Sequence, residues 1–189
     1  GKAAHGSTPQ HGTNAITFMS PVLVALAHDY PKLLAKKMHP LLGSPTISIG
    51  KIRGGSQPNV VPDSCEIEID RRTLPGETSS SVEEEIKNLF KKLKIKSPEF
   101  SATRSVPCPP LDTDPTLPIV QSFLKAGNRR KTIGVPYVTD ASPLSMGGTP
   151  ALVYGPGNIA QAHAKNEWVC LKEVEQAERT IFQFLSNLP

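Results

Sequence analysis

Between Ser64 and Arg72 the sequence alternates without interruption. Cys65, Ile67 and Ile69 fall on one side, and Glu66, Glu68, Asp70 and Arg72 on the other. Successive side chains of a strand point to opposite faces. The segment therefore predicts a strand with one packed face and one face that is wet or set against a partner. Leu74-Pro75-Gly76 ends it, and the pattern then changes period. Val82, Ile86, Leu89, Phe90 and Leu93 recur at helical spacing. Ser81 with Glu84 reads as a capping box. Glu83, Glu84 and Glu85 lie at the positive end of the helix dipole, and Lys91, Lys92 and Lys94 at its negative end. A half-wet strand followed by a capped amphipathic helix requires a layered α/β arrangement, with the helix covering the apolar face.

The rest of the first half fits that layer. His5 follows a very short extended segment. Ile16, Met19, Leu23, Leu26 and Tyr30 form a helical stripe. Pro21 interrupts it and would cost about 3 kcal/mol in a helix interior, which predicts a kink or a late start. Thr46 to Ile52 reads as a strand with Ile47 and Ile49 on one face, and Gly54-Gly55 as a turn or bulge. A last strand, Phe100 to Ser105, completes β-α-β-β-α-β, the split ferredoxin-like order. The Pro-rich stretch from Val106 to Leu111 marks a boundary, giving domains over residues 1–106 and 107–189. The second half predicts a helix after Asp114-Pro115, short strands at Tyr137–Asp140 and Ala151–Tyr154, and a long terminal helix. That helix carries Leu171, Val174, Ala177, Ile181, Leu185 and Leu188 on one stripe. Two short strands are too few for such helices to cover, so this half looks short of a core.

Composition excludes several classes. No apolar run among the 189 residues approaches the roughly 20 needed to span a bilayer. The opening Gly1-Lys2-Ala3-Ala4-His5 does not read as a signal peptide, since no apolar stretch follows. Three cysteines without a Cys-x-x-Cys pair read as free thiols in a reducing, cytoplasmic setting. The net charge of +4 gathers at Asn128-Arg129-Arg130-Lys131 and Lys91-Lys92-Leu93-Lys94. Neither patch is interleaved with aromatics that could stack bases, so no nucleic-acid partner is expected.

Four segments could carry chemistry. In Gly1-Lys2-Ala3-Ala4-His5-Gly6-Ser7, small residues let a substrate approach the imidazole, which could hold a carboxylate or a developing oxyanion. A lone surface histidine is the plainer reading. In Gly54-Gly55-Ser56-Gln57-Pro58-Asn59-Val60-Val61-Pro62 the glycines read as a hairpin connection. Asn59, with Arg72 on the adjacent strand, could bind an anionic group, because a guanidinium forks onto a carboxylate. Thr139-Asp140-Ala141-Ser142 with Gly147-Gly148-Thr149-Pro150 reads alone as a loop. Gly155-Pro156-Gly157 through Glu167 sets His163 just beyond a turn at a strand end, a plausible place for a metal ligand. Zinc needs three or four ligands and this is one. Glu167 could orient the imidazole or be a solvated acid. The acid run at Glu83–Glu85 is explained by its helix terminus.

Taken in order from Gly1 to Glu167, these segments resemble the M20 family of dinuclear-zinc peptidases and amidohydrolases, in its acetylornithine deacetylase-like branch. The resemblance implies a lid or dimerisation domain followed by the C-terminal part of an α/β zinc-peptidase catalytic domain. His163 would match the final metal ligand. His5 would match the lid histidine that reaches into the partner subunit's site and stabilises the oxyanion. Asn59 and Arg72 would hold the substrate's carboxylate, and the backbone near Gly157 would line the same pocket. The implied cofactor is two zinc ions per subunit, with cobalt or another divalent ion as a substitute. The implied partners are an N-acyl amino acid or short peptide and a second copy of the chain. The family carries a His-x-Asp motif and a Glu-Glu pair; this sequence has no His-x-Asp, and its only acid run is Glu83–Glu85 at the helix terminus. The chain is therefore expected to be a fragment that holds no zinc pair and is inactive alone. The alternative is a stand-alone dimerisation module.

Overall fold

The computed structural model describes residues 1–102 and 108–188. The chain divides into two compact units, Gly1–Pro110 and Leu111–Pro189. The mixture of helix and strand expected from the sequence is what the chain contains.

Unit one begins with β1 (Ala4–His5) and a 3-10 turn at Pro9–His11, then α1 (Ala15–Val24). Asn14 caps α1, its side chain accepting from the Thr17 N–H. Pro21 neither ends nor delays this helix. The chain stays helical through a π turn at Ala25–Asp29, where the Tyr30 N–H reaches the Ala25 carbonyl, and into α2 (Tyr30–Leu34). The π turn admits one extra residue per hydrogen bond. The buried face accordingly runs Met19, Val22, Leu26, Tyr30 and Leu34, while Ile16 is exposed.

Strands β2 (Thr46–Gly54) and β4 (Cys65–Arg72) pair antiparallel, Thr46 opposite Arg72 and Gly54 opposite Cys65. The register slips between Ile49 and Lys51, so the bulge lies at Gly50, and Gly55 takes the turn at φ +71°. Between them β3 (Val60–Val61) pairs antiparallel with β1 instead. The described strands thus form two two-stranded sheets, and the split ferredoxin-like order expected from the sequence is not seen among them. The expected last strand is corrected in part: Phe100–Ala102 are not in a strand, and 103–105 lie outside the described residues. Phe100 packs against the core instead.

Helix α3 (Ser79–Lys92) closes the layer. Its cap is Thr78 with Ser81, which exchange side-chain and backbone hydrogen bonds, and not Ser81 with Glu84. Val82, Ile86, Leu89 and Phe90 meet the α1–α2 stripe, and Ile47, Ile49, Cys65, Ile67 and Ile69 cover that cluster from the sheet. Full burial of side chains such as Phe90 and Ile86 contributes about 1.5–3 kcal/mol each.

Unit two contains α4 (Pro118–Ala126), α5 (Ala141–Met146), a 3-10 turn at Ile159–Gln161 and α6 (Leu171–Ser186). The strands expected at 137–140 and 151–154 do not form among its described residues. A strand needs a partner to satisfy its backbone, and neither segment has one. Phe123 of α4 packs edge-to-face against Tyr154 and Phe184, 4.9 and 5.0 Å between centroids. The α6 stripe is corrected as well: Ala177 and Thr180 are buried, whereas Leu171, Val174, Ile181, Leu185 and Leu188 are exposed.

Candidate functional site

Strands β1 and β3 bring His5 and Asn59 together. His5 stands opposite Val60, and the Gly6 N–H donates to the Asn59 carbonyl at 2.7 Å. A Cβ on Gly6 would lie 2.9 Å from that oxygen and within 3.2 Å of two more backbone atoms of Asn59. Backbone cannot yield as a side chain can, so residue 6 must be glycine for this approach. Gly12 is held to the same standard, 2.8 Å from the Lys2 carbonyl. The chain then turns back, with the Thr8 N–H donating to the His5 carbonyl at 2.9 Å. Ser7 is thereby folded over the histidine: its Oγ lies 2.7 Å, and its backbone N 3.2 Å, from His5 Nδ1. The imidazole itself is exposed.

Arg72 ends β4 on the wet face and makes an exposed ion pair with Asp70 at 2.7 Å. It makes no hydrogen bond to His5 or Asn59. The buried guanidinium is that of Arg71, whose place in the alternation is the inward one. Arg71 donates through both ends: Nε to the Tyr30 hydroxyl at 3.1 Å, and Nη2 to both carboxylate oxygens of Glu77 at 2.9 and 3.1 Å. It also donates to the Arg72 carbonyl. Glu77 further accepts from Lys37 at 2.6 Å and from the Leu74 N–H at 2.9 Å. Tyr30 donates to Glu85 at 2.7 Å, and Lys37 pairs with Glu85 at 2.5 Å.

Burial alone would raise the Glu77 carboxyl, but the hydrogen bonds from Lys37, Leu74 and Arg71 outweigh it and hold the group below the usual range. Burial, with the bond to Glu85, pushes the Tyr30 phenol up to about 12. Burial works against the Lys37 charge, and its bonds to Glu77 and Glu85 outweigh that and raise it. Glu85 therefore does more than complement the helix dipole. The signal that could have exposed this group was parity: Arg71 shares its face with Cys65, Ile67 and Ile69.

In unit two, Gly157 takes φ +90° and donates its N–H to Glu173 of α6 at 3.0 Å. His163 also has positive φ, +64°, unusual for a residue with a Cβ. Glu167 accepts from the His163 backbone N–H at 3.1 Å. Of the two readings of Glu167, orienting partner or solvated acid, the exposed carboxylate with its bond to the backbone is nearer the second. Asp140 stands at the N-terminus of α5 without a side-chain cap bond, and Ser142 is buried. Among the described residues no three His, Cys, Asp or Glu side chains gather closely enough to hold a metal ion. His163 by itself is one donor where a zinc site needs three or four, and does not fit a metal pair. A groove of about 590 Å³ beside α3, bordered by Asp29, Lys32, Leu33 and Glu85, is lined by charges of both signs, and none of His5, Asn59, Arg72, Gly157 or His163 lines it.

Residues 1–98, just over half of the chain, match the peptidase dimerisation domain of M20 enzymes. The chain belongs to the M20 peptidase dimerisation-domain family. It is 31% identical over 180 residues to the acetylornithine deacetylase of Aliivibrio fischeri strain ES114, covering 93% of this chain and 47% of that protein. To the acetylornithine deacetylase of Vibrio atlanticus it is 32% identical over 174 residues, 89% of this chain and 45% of that one. The chain thus spans about half the length of these curated relatives. The fold is similar to that of a tripeptidase from Staphylococcus aureus, with a TM-score of 0.63 at 22% identity, over 97% of this chain and 48% of that one. It is likewise similar to an M20 metallo-carboxypeptidase from Sulfolobus solfataricus, with a TM-score of 0.61 at 14% identity, over 98% and 55%. The dimerisation-domain match, residues 1–98, includes the contact between β1 and Asn59.

Proposed function

We propose that the chain is the lid and C-terminal catalytic portion of a metal-dependent amidohydrolase. Its substrates would be N-acyl amino acids or short peptides with a free carboxylate. The carrying observation is the glycine-dependent pairing of β1 with β3, which sets His5 beside Asn59 inside the family-matched region. His5 donates a hydrogen bond to the oxyanion that forms as the amide carbonyl is attacked. Asn59 and Arg72 hold the substrate's carboxylate, and the Gly157 turn lines the pocket. His163 supplies one metal ligand, with the remaining ligands outside this chain.

Two observations support the partial-enzyme reading. The relatives are about twice as long, and the apolar stripe of α6 is exposed. A cytoplasmic setting is supported by three free cysteines, of which Cys65 has its thiol pushed up by burial. Among the described residues no helix is long and apolar enough to cross a membrane.

The test takes the protein as its gene encodes it and assays acetylornithine, other N-acetyl amino acids and tripeptides, with and without a chelator. Chelator-sensitive hydrolysis that falls at least about 100-fold in His5→Ala supports the reading, since loss of one oxyanion donor costs that much. Hydrolysis indifferent to His5 defeats it. The second reading, a dimerisation module without catalysis, is favoured by the domain match and by a unit-one core complete in itself. Sedimentation over a range of concentrations tests the homodimer, and a monomer at all concentrations would reject it.

A further inference from the structure

The turn after β1 presents two donors to one ring nitrogen. The backbone N–H of Ser7 points at His5 Nδ1 from 3.2 Å, and the Ser7 hydroxyl lies 2.7 Å from the same atom. A hydroxyl can donate or accept, but a backbone amide can only donate. Were Nδ1 protonated in the neutral ring, two N–H groups would face each other. Nδ1 must therefore accept, the Ser7 hydroxyl donates alongside the amide, and the single proton of the neutral imidazole resides on Nε2. The hydrogen bond made by one ring nitrogen sets the state of the other. Nε2 makes no hydrogen bond among the described residues, and the side chain is exposed. Gly6 and the Thr8-to-His5 bond fix the turn, so the arrangement is a property of the backbone.

We propose that Ser7 is the positioning residue that pins His5 in the Nε2–H tautomer. This rests on the reading of His5 as the oxyanion donor. A neutral imidazole then presents an N–H to the developing charge without first taking up a proton, and no proton changes hands at this step. Preorganised donors of this kind stabilise the transition state because they need no reorientation as charge forms.

The test is long-range proton–nitrogen NMR of the labelled 189-residue chain at about pH 8.5, above the ordinary imidazole range. His5 is assigned from the signals lost in His5→Gln. Wild type is expected to show the Nε2–H form in at least about tenfold excess. Ser7→Ala, which keeps the backbone amide, should cut that excess about fivefold, the share of one ordinary hydrogen bond. Ser7→Thr should restore it, and unchanged shifts of Tyr30 would verify the fold. A predominantly Nδ1–H ring in wild type, or an unmoved ratio in Ser7→Ala, would overturn the proposal. The tautomer is read without substrate or metal, so it is separable from the functional reading. In the gene-encoded protein, Ser7→Ala should lower kcat several-fold with KM unchanged. A shifted tautomer with kcat unchanged would leave the pinning intact and reject His5 as the oxyanion donor.

Discussion

The two units of this chain treat their apolar side chains in opposite ways. Among the described residues, unit one buries thirteen hydrophobic side chains, ten of them in one cluster between its helices and a sheet face, and unit two buries four. Of the twenty-four large hydrophobic residues that are exposed among the described residues, seventeen are in unit two. A surface of that kind marks a face made to be covered. Unit one is a finished layer, with its helices already on its sheet. Unit two packs α4 against α6 but leaves most of the apolar side chains of its helices exposed.

The sharpest way to break this contrast is to separate the halves. Residues 1–110 should unfold cooperatively with urea, with circular dichroism and tyrosine fluorescence giving coincident transitions. Residues 111–189 should show no cooperative transition and should bind a hydrophobic dye, as loosely packed chains do. Cooperative unfolding of the second piece alone would remove the contrast.

Within the whole chain, paired truncations of the same residue type measure it more finely. Phe90 is 1% exposed and Phe182 is 73% exposed. Phe90→Ala should cost about 3–5 kcal/mol, by lost burial and the cavity left behind. Phe182→Ala should lie within about 0.5 kcal/mol of wild type. Equal losses in urea titrations would mean that Phe182 is covered in solution.

A smaller effect comes from the polar group that ties α2, β4 and α3 together. Glu77 is held below the ordinary carboxylate pKa in the folded chain, so the unfolded chain takes up its proton first. Its contribution is complete above about pH 4.5 and is lost as pH falls through the folded value. Tyr30 has the opposite sense. Its phenol is raised to about 12, so its contribution is full below about pH 10 and fades as pH climbs toward 12. Glu77→Gln should cost about 1–3 kcal/mol at neutral pH and flatten the acid limb of stability against pH. An acid limb unchanged in Glu77→Gln would show that Arg71 and Lys37 do not bind this carboxylate in solution.

Where local pattern and long-range packing agree, the sequence was legible. The alternation at 65–72 and the stripe at 82–90 became β4 and the buried face of α3, because each segment carries its own period. The π turn was not legible, since Pro21 reads as a breaker and only the packing of Tyr30 and Leu34 rewards continuing the helix. The strands expected in unit two failed for a complementary reason: apolar β-forming residues at 151–154 specify a strand only if another strand lies beside them. In the site, His5 and Asn59 stood in quotable motifs. The contact between them needs the pairing of β1 with β3, which no local period announces. Arg71 was legible and overlooked: its parity placed a charge on the packed face, and a buried guanidinium requires acids to meet it.

The smallest effect concerns backbone strain, and it separates helix-ending residues from a candidate ligand. Lys94 and Asn128 have φ of +57° and +50°, and each follows the end of an α-helix, where a left-handed residue satisfies the last carbonyls. His163, at +64°, follows no α-helix; its conformation is held by the bond from its N–H to Glu167. Asparagine tolerates this region better than histidine, as its short polar side chain can bond locally. His163→Asn should therefore leave stability unchanged or raise it by a few tenths of a kcal/mol, and His163→Ala should not. Amide hydrogen exchange at residue 163 reads the difference, with protection kept in the asparagine variant and reduced when Glu167→Gln weakens the acceptor. Such a result would mean that the turn gains nothing in stability from an imidazole, and that the histidine is held there for what its ring can bind.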